Sequence, residues 1–456
     1  MTDAIIFPLE LFTITFFPSQ ITFTLAQCKI ARIPHRNFYT MEAAINIPSP
    51  PPLPTEHSSQ AFSETMSGED LLKIMFQTCQ QKGVSDIQLR ANRPMYIETH
   101  HGMEALPYLG TLSADSLMKV YEALLNNKDD DSHGFGDTSA ETDHVKEAVA
   151  KFLEKRVDDF SCSGIQYGEH GEISGRLRIQ AHLSAPGLGI TCRILNDSIP
   201  ELESLGILPD TIESLRKGVL KRAGLCLVTG PTGSGKSTTL ASLIDWARRH
   251  HPKHIVTIED PVEYQYPHDM DDPDVPGMKT LAPSIVTQQE VGRDVANYRQ
   301  GLKDVLRKAP HIILLGEIRD REAMDTCLEA AQTGHLVLST LHTTGAVKTM
   351  GRILEMYPKD KHASILNRLG EIMIFIHSQG LLTGVHGRVL TYEFLNNNDD
   401  SVGAAIAAYD RGASALEDAI RRSGNVQWDN NLLRLYQQGL ISQEAFENAK
   451  LAKSDD

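Results

Sequence analysis

The chain has 456 residues, 41% hydrophobic and 23% charged, with a formal net charge of −15. That length allows two or three domains with sizeable cores, and the acidic balance excludes broad, sequence-independent nucleic-acid binding, which needs a surplus of Lys and Arg. Six cysteines (Cys28, Cys79, Cys162, Cys192, Cys226 and Cys327) are scattered without a CxxC pair, which fits reduced thiols better than a disulfide framework or a zinc site.

Residues 1–65 read as an extension. AIIFPLELFTITFFPSQITFTLAQ (4–27) is apolar, but Pro8, Glu10, Pro18 and Gln20 interrupt it short of a membrane-spanning run. Lys29, Arg32, His35 and Arg36 follow it, the reverse of the order in a signal peptide. PSPPPLPTEHSSQ (48–60) has linker composition. Three readings stay open: translation from an internal Met41 or Met66, a membrane anchor, or a disordered tail.

Residues 66–195 read as a small α+β domain. Ser67 and Asp70 make a capping box, Leu71, Leu72, Met75 and Cys79 share one helical face, and Gly83 is a stop. Ile87 and Leu89 then alternate as in a strand. NNKDDDSHGFGDTSAETD (126–143) is a solvated loop by composition. Its Asn127-Lys128-Asp129-Asp130 matches the guanine-reading NKxD pattern, but in a loop-like position and ahead of the phosphate site. GRLRIQAHLSAPGLGITCRIL (175–195) predicts a hairpin about a Pro-Gly turn.

NDSIPELESLGIL (196–208) reads as an interdomain linker. In 209–399 the apolar runs LCLVT (225–229), HIVTI (254–258), HIILL (311–315) and HLVLST (335–340) alternate with helical stretches. That pattern predicts an α/β domain with a parallel sheet covered on both faces. Residues 400–456 are helical by pattern, with stops near Gly424 and Gly439.

GPTGSGKST (230–238) matches GxxxxGK[ST] in full, between a strand-like run and a helix-like run, the context this motif requires. Gly230, Gly233 and Gly235, with Pro231, Thr232 and Ser234, let backbone N–H groups face an anion at a helix N-terminus. Lys236 adds a charge at the outer phosphates, and Ser237, beside Thr238, offers a hydroxyl to Mg²⁺. VTIEDPVEYQY (256–266) ends a strand in Glu259 and Asp260, where parallel strands face a ligand crevice. Turn chemistry is the bland alternative. HIILLGEIRD (311–320) delivers Glu317 to the sheet edge as a Walker B strand does. Gly316 stands where Asp is usual, so Mg²⁺ contact is expected through water. Glu317 is the candidate to orient or deprotonate an attacking water. EAAQTGHLVLSTLHTT (329–344) carries His335 at the start of a strand, a structural position, and His342 at its end beside Lys236 and Glu317, a nucleotide-sensing position.

Taken together, GPTGSGKSTTLASLID, TIEDPVEY, IILLGEIRD and TGHLVLSTLHTT resemble, in order and spacing, the Walker A, Asp box, Walker B and His box of the PilT-like secretion and pilus traffic ATPases. The resemblance implies an N-terminal PAS-like α+β domain, a RecA-like P-loop ATPase domain with a helical C-terminal region, ATP and Mg²⁺ as cofactors, and a homo-hexameric ring. It also implies a cytoplasmic position, peripheral at the inner membrane, with inner-membrane and cytoplasmic components of a secretion, conjugation or pilus apparatus as partners. Glu259 joins Glu317 and His342 as catalytic candidates. Asp260 joins Ser237 as a metal ligand, directly or through water. Arginines of the N-terminal domain reach the nucleotide in that family; the matching strands offer Arg176, Arg178 and Arg193, with Arg178 and Arg193 taken as catalytic. Arg319 and Arg321 are ring-interface or site contacts.

Departures narrow the role. The tetracysteine module of pilus-assembly and type II branches is lacking, and DDSVGAAIAAYD (399–410) replaces the AIRNLIRE signature of retraction ATPases. YPHDMDDPDVPGMKTLAPSIVTQQEVGRD (266–294) looks more like the DotB and TraJ group of conjugation and type IVB secretion ATPases. The expected function is an ATP-hydrolysing motor of such a machine. A pilus-retraction ATPase, a non-motor nucleotide-binding docking platform and a nucleic-acid translocase are the alternatives; the absence of a basic-aromatic stripe weighs against the last.

Overall fold

The computed structural model describes residues 14–17, 20–23, 61–80, 84–99, 102–127, 138–162, 176–185, 187–195, 198–272, 275, 277–422 and 424–455. The chain divides into two compact units, Met1–His57 and Ser58–Asp456. In the first, β1 (Ile14–Phe17) and β2 (Gln20–Phe23) pair antiparallel. The basic patch at 29–36, the linker at 48–60, Gly83 and residues 128–130 of the NKxD match lie outside the described residues. Among those described, no helix is long and apolar enough to cross a membrane.

The second unit opens with α1 (Gly68–Gln80), capped as expected: Ser67 Oγ accepts from the Asp70 amide at 3.1 Å and donates to its carboxylate at 2.7 Å. Then come β3 (Asp86–Arg90), β4 (Pro94–Thr99), β5 (Gly102–Thr111), α2 (Ala114–Asn126), α3 (Thr138–Lys155), β6 (Val157–Cys162), β7 (Arg176–Ser184) and β8 (Gly187–Leu195). They form one antiparallel six-stranded sheet in the order β5-β4-β3-β8-β7-β6. The predicted 175–195 hairpin is β7–β8. The acidic tract read as a loop to residue 143 is already helical from Thr138: Phe152, buried and 4.7 Å from the Tyr121 ring, anchors α3 from its far end. Alternate residues of the sheet (Ile87, Leu89, Leu177, Ile179, Ile190, Cys192) are buried in the core shared with α1 and α2. The intervening positions give the other face Asp86, Arg176, Arg178 and Arg193.

The described part of the predicted linker, 198–208, is packed. Leu202 and Ile207 are buried, and the Leu208 amide donates to Tyr392 Oη at 3.0 Å. Beyond it lie α4 (Pro209–Val219), β9 (Gly224–Thr229), α5 (Lys236–His250), β10 (His254–Glu259), a small hairpin of β11 (Asp269–Asp271) and β12 (Lys279–Leu281), and β13 (Ile285–Glu290). Next are α6 (Tyr298–Val305), β14 (Ile312–Leu315), α7 (Arg321–Gln332), β15 (Leu336–Leu341), α8 (Ala346–Glu355), α9 (His362–Ile372), β16 (Met373–Gly384) and β17 (Gly387–Asn396). Four helices close the chain: α10 (Asp400–Ala407), α11 (Ser414–Ile420), α12 (Trp428–Gln437) and α13 (Gln443–Asp455).

The seven-stranded sheet runs β13-β10-β14-β15-β9-β16-β17, parallel except for the β16–β17 pair. Alternate residues of β14, Ile312 with Leu314 and Ile313 with Leu315, enter separate cores on its two faces. This explains the near-continuous apolar runs: a strand buried on both sides has no polar face to show. Along β17, the Asn431 carboxamide of α12 accepts from the Tyr392 amide at 3.1 Å and from Thr391 Oγ1 at 3.2 Å. Asn431→Ala leaves that buried amide unpaired and should cost about 1–3 kcal/mol. A lowered urea midpoint with unchanged slope is the expected readout; an unmoved midpoint removes Asn431 from the account of how the hairpin is held.

Candidate nucleotide-binding site

The GPTGSGKST turn leaves β9 at the carboxyl edge of the sheet and enters α5, whose first-turn amides have no intrahelical partners. Gly230 has φ +144 and Gly235, the N-cap, φ +85. At Gly230 closeness also matters, because an added Cβ would lie 2.1 Å from the Gln379 carbonyl. Gln379 itself was not singled out in the sequence. Its side-chain amide donates to the Ser234 carbonyl at 2.6 Å and accepts from Thr239 Oγ1 at 2.9 Å, all three residues being buried. It thus ties the turn to α5. From the neighbouring positions, Ser378 accepts from the Gly345 amide at 2.6 Å and Glu393 from the Ala346 amide at 2.8 Å. The β16–β17 hairpin therefore braces both the phosphate turn and the loop after β15.

Pro231, Thr232, Gly233 and Ser237 are exposed, Ser234 is buried, and Thr238 shares a 2.8 Å hydrogen bond with Tyr264. Lys236 Nζ donates to the Gly230 and Pro231 carbonyls at 2.9 and 3.0 Å and stands 3.5 Å from His342 Nδ1. Burial lowers its pKa, against the pull of Glu317 and Glu263. Nε2 of the same imidazole is 3.3 Å from Glu317 Oε1. Lys236, His342 and Glu317 thus form one chain of contacts, drawn from β9's turn and the ends of β15 and β14. His335 lies at the other end of β15, with Nδ1 3.3 Å from the Ala330 carbonyl.

Arg319 Nε donates to Glu317 Oε2 at 2.9 Å, and its NH1 is 3.6 Å from Asp260. Arg321 instead faces Asp325 of α7 and the Tyr357 ring, which follows α8. Glu259 is set apart from the Lys236–His342–Glu317 chain. Thr257 Oγ1 and Gln288 Nε2 donate to its Oε1 at 2.6 and 3.3 Å, and its pKa is pushed up to about 7, first by burial and further by Glu263. The polar face of the N-terminal sheet meets this region. Buried Arg176 donates to the Val262 carbonyl at 2.6 Å. Arg178 grips Asp159 through two bonds of 3.2 and 2.9 Å, which raise its pKa, with Asp260 and Glu263 adding to the effect from outside the sheet. Arg193, its cross-strand partner, is bonded to Asp86 at 2.8 Å.

These residues fit a nucleotide with magnesium. The glycine turn, the α5 N-terminus and the Lys236 ammonium match a phosphate chain. Among the described residues no three His, Cys, Asp or Glu side chains cluster to hold a metal. Mg²⁺ commonly takes only one or two protein oxygens beside phosphates and water, and exposed Ser237 and Asp260 can supply these.

A P-loop on a parallel sheet, with Glu317 and His342 brought to the same edge, defines the class: a P-loop nucleotide-binding protein. The profile of the type II/IV secretion system protein family matches residues 171–385. Over 294 residues the chain is 35% identical to the type IV pilus retraction ATPase PilT of Pseudomonas aeruginosa, spanning 61% of this chain and 77% of that one. The chain belongs to this family of type II/IV secretion ATPases. The crystal structure of the pilus retraction motor PilT with bound ADP superimposes with a TM-score of 0.65 at 31% identity, over 83% of this chain and 96% of that one. The Legionella pneumophila ATPase DotB gives 0.69 at 22% identity, over 86% and 98%, a likeness of fold.

Two outcomes follow. Gln379→Ala should weaken ADP binding about tenfold, roughly one hydrogen bond's worth, in a fluorescent-ADP titration; wild-type affinity would show that the turn holds its shape without the brace. Glu259, with a folded pKa of about 7, is protonated in the native state over a range in which an unfolded glutamate is ionised. Its contribution to stability therefore falls as pH rises from the ordinary carboxyl range to 7, and above that the penalty is complete. Glu259→Gln keeps the acceptor oxygen and should gain about 1–3 kcal/mol at pH 8 relative to pH 4; equal effects at both pH values would contradict the shift.

Proposed function

We propose that this protein is an ATP-hydrolysing, homo-hexameric motor of a type IV secretion, conjugation or type IV pilus machine, peripheral at the cytoplasmic face of the inner membrane. The observation that carries the catalytic part is the Lys236–His342–Glu317 chain, with steps of 3.5 and 3.3 Å. A carboxylate at that place can orient or deprotonate a water aimed at the terminal phosphate, while the imidazole links it to the phosphate-binding lysine. Ser237 and Asp260 would hold Mg²⁺, which when bound would neutralise charge on the phosphates.

In this reading the chain is a RecA-like ATPase domain joined to a PAS-like domain, the antiparallel sheet of residues 66–195. Arg178 and Arg193 complete the site when the N-terminal domain shifts, leaving Asp159 and Asp86 for the nucleotide. An arginine so placed is worth about 10³–10⁵ in rate. Glu259 acts from the Asp box as a proton-carrying neighbour. The partners are inner-membrane and cytoplasmic components of the apparatus, without direct nucleic-acid binding.

Similarity to PilT at 35% identity over 77% of its length favours a second reading, a retraction motor. The long segment after the Asp box favours a secretion or conjugation motor. A non-motor docking platform would bind ATP and leave Glu317 and His342 without a task.

The test is ATP hydrolysis across protein concentration, with Glu317→Gln as the control. Turnover per subunit should rise with concentration, and the variant should lose at least about a hundredfold in kcat while binding ATP as before. Tight binding with flat, negligible turnover favours the platform; equal loss of binding in the variant sinks the role given to Glu317.

A further inference from the structure

Gly316 and Tyr298 form one unit. A Cβ on Gly316 would lie 2.9 Å from Tyr298 Oη and 3.3 Å from the Ile258 carbonyl, so the phenol fills the space that a side chain at 316 would need. Tyr298 comes in from the first residue of α6 and packs against the core under the sheet edge. Its ring also carries a cation: the Arg319 guanidinium stands 5.6 Å from the ring centroid, within the range of a cation–π contact. Arg319 then occupies Glu317 Oε2 at 2.9 Å. The other oxygen, Oε1, is left toward His342.

We propose that Tyr298 is a positioning residue for hydrolysis: its ring seats Arg319, Arg319 fixes the Glu317 carboxylate so that Oε1 faces His342 and Lys236, and glycine at 316 makes room for the phenol. The inference rests on the ATPase reading above. The phenol stays protonated, because burial first and then Asp260 push its pKa well up. It therefore adds no charge to a region already holding Asp260, Glu259 and Glu317.

The experiment measures kcat and KM for ATP together with fluorescent-ADP affinity in four variants of the full chain. Tyr298→Leu removes the seat; kcat should fall about tenfold with ADP affinity within about twofold, since the phosphate turn is untouched. Tyr298→Phe keeps the ring and should rescue kcat to at least about half of wild type. Gly316→Ala should lower kcat by crowding the phenol. In the Tyr298→Phe background it should be nearly harmless, because the 2.9 Å Oη contact is then gone, the ring Cε1 at 3.5 Å is an ordinary contact and the Ile258 carbonyl at 3.3 Å needs only a small shift. Wild-type kcat in Tyr298→Leu overturns the proposal. So does a parallel fall of kcat and ADP affinity in both the Leu and Phe variants, which marks a structural role. Equal damage from Gly316→Ala in both backgrounds overturns the pairing. A wild-type chain that binds ADP but does not hydrolyse ATP overturns the ATPase reading, and this one with it; an active wild type separates the two.

Discussion

The nucleotide site depends on one constraint, the parallel pairing of β10, β14, β15 and β9. Parallel strands end on the same edge, so whatever follows each strand is delivered to one crevice. The register makes this concrete: Leu341 pairs with Thr229, and Leu315 pairs with both Ile258 and Ser339. The residues immediately beyond are the phosphate turn, Glu259, Glu317 and His342. A slip of one residue in β14 would exchange its side chains between the two cores and turn Glu317 away from His342. Close packing in both cores resists that exchange, so the apolar runs that form the core also hold the chemistry in place.

The arginines add a second layer. The antiparallel N-terminal sheet has one apolar face, spent on α1 and α2, and one polar face turned elsewhere. Of its three arginines Arg176, Arg178 and Arg193, Arg176 reaches across to the Val262 carbonyl. Arg178 and Arg193 are held by carboxylates of their own domain. The Arg178–Asp159 pair is solvent-accessible on both sides, and pairs of that kind contribute about 0–1 kcal/mol; Asp86 is buried, so parting it from Arg193 costs more. The contact of Arg176 is buried, that of Arg193 half-buried and that of Arg178 exposed.

Much of this was legible in the sequence. The capping box of α1, the β7–β8 hairpin, the parallel sheet and the placing of His335 and His342 at opposite ends of β15 follow from local periodicity and motif order. What was missed has a common cause. Gln379, Ser378 and Glu393 act on backbone groups more than thirty residues away in sequence, and no local pattern announces such a partner. The β16–β17 hairpin did carry a signal, a GVHG turn between two apolar-polar runs. The helical start at Thr138 was hidden by its acidic composition, because the residue that fixes it, Phe152, comes four turns later. Tyr298 gave no local signal either, because its contact with the Gly316 position is made only in the folded chain.

The brace at Gln379 has a consequence for how the protein comes into being. The glycine turn is the most recognisable sequence in the chain, yet its carbonyl at Ser234 is held by a side chain 145 residues downstream. A nascent chain emerging in order from the ribosome would expose this turn long before β16 exists to close behind it. Capacity for nucleotide would then arise late and abruptly, when β16 inserts beside β9, and an unfinished chain would have no competent site with which to occupy cellular ATP.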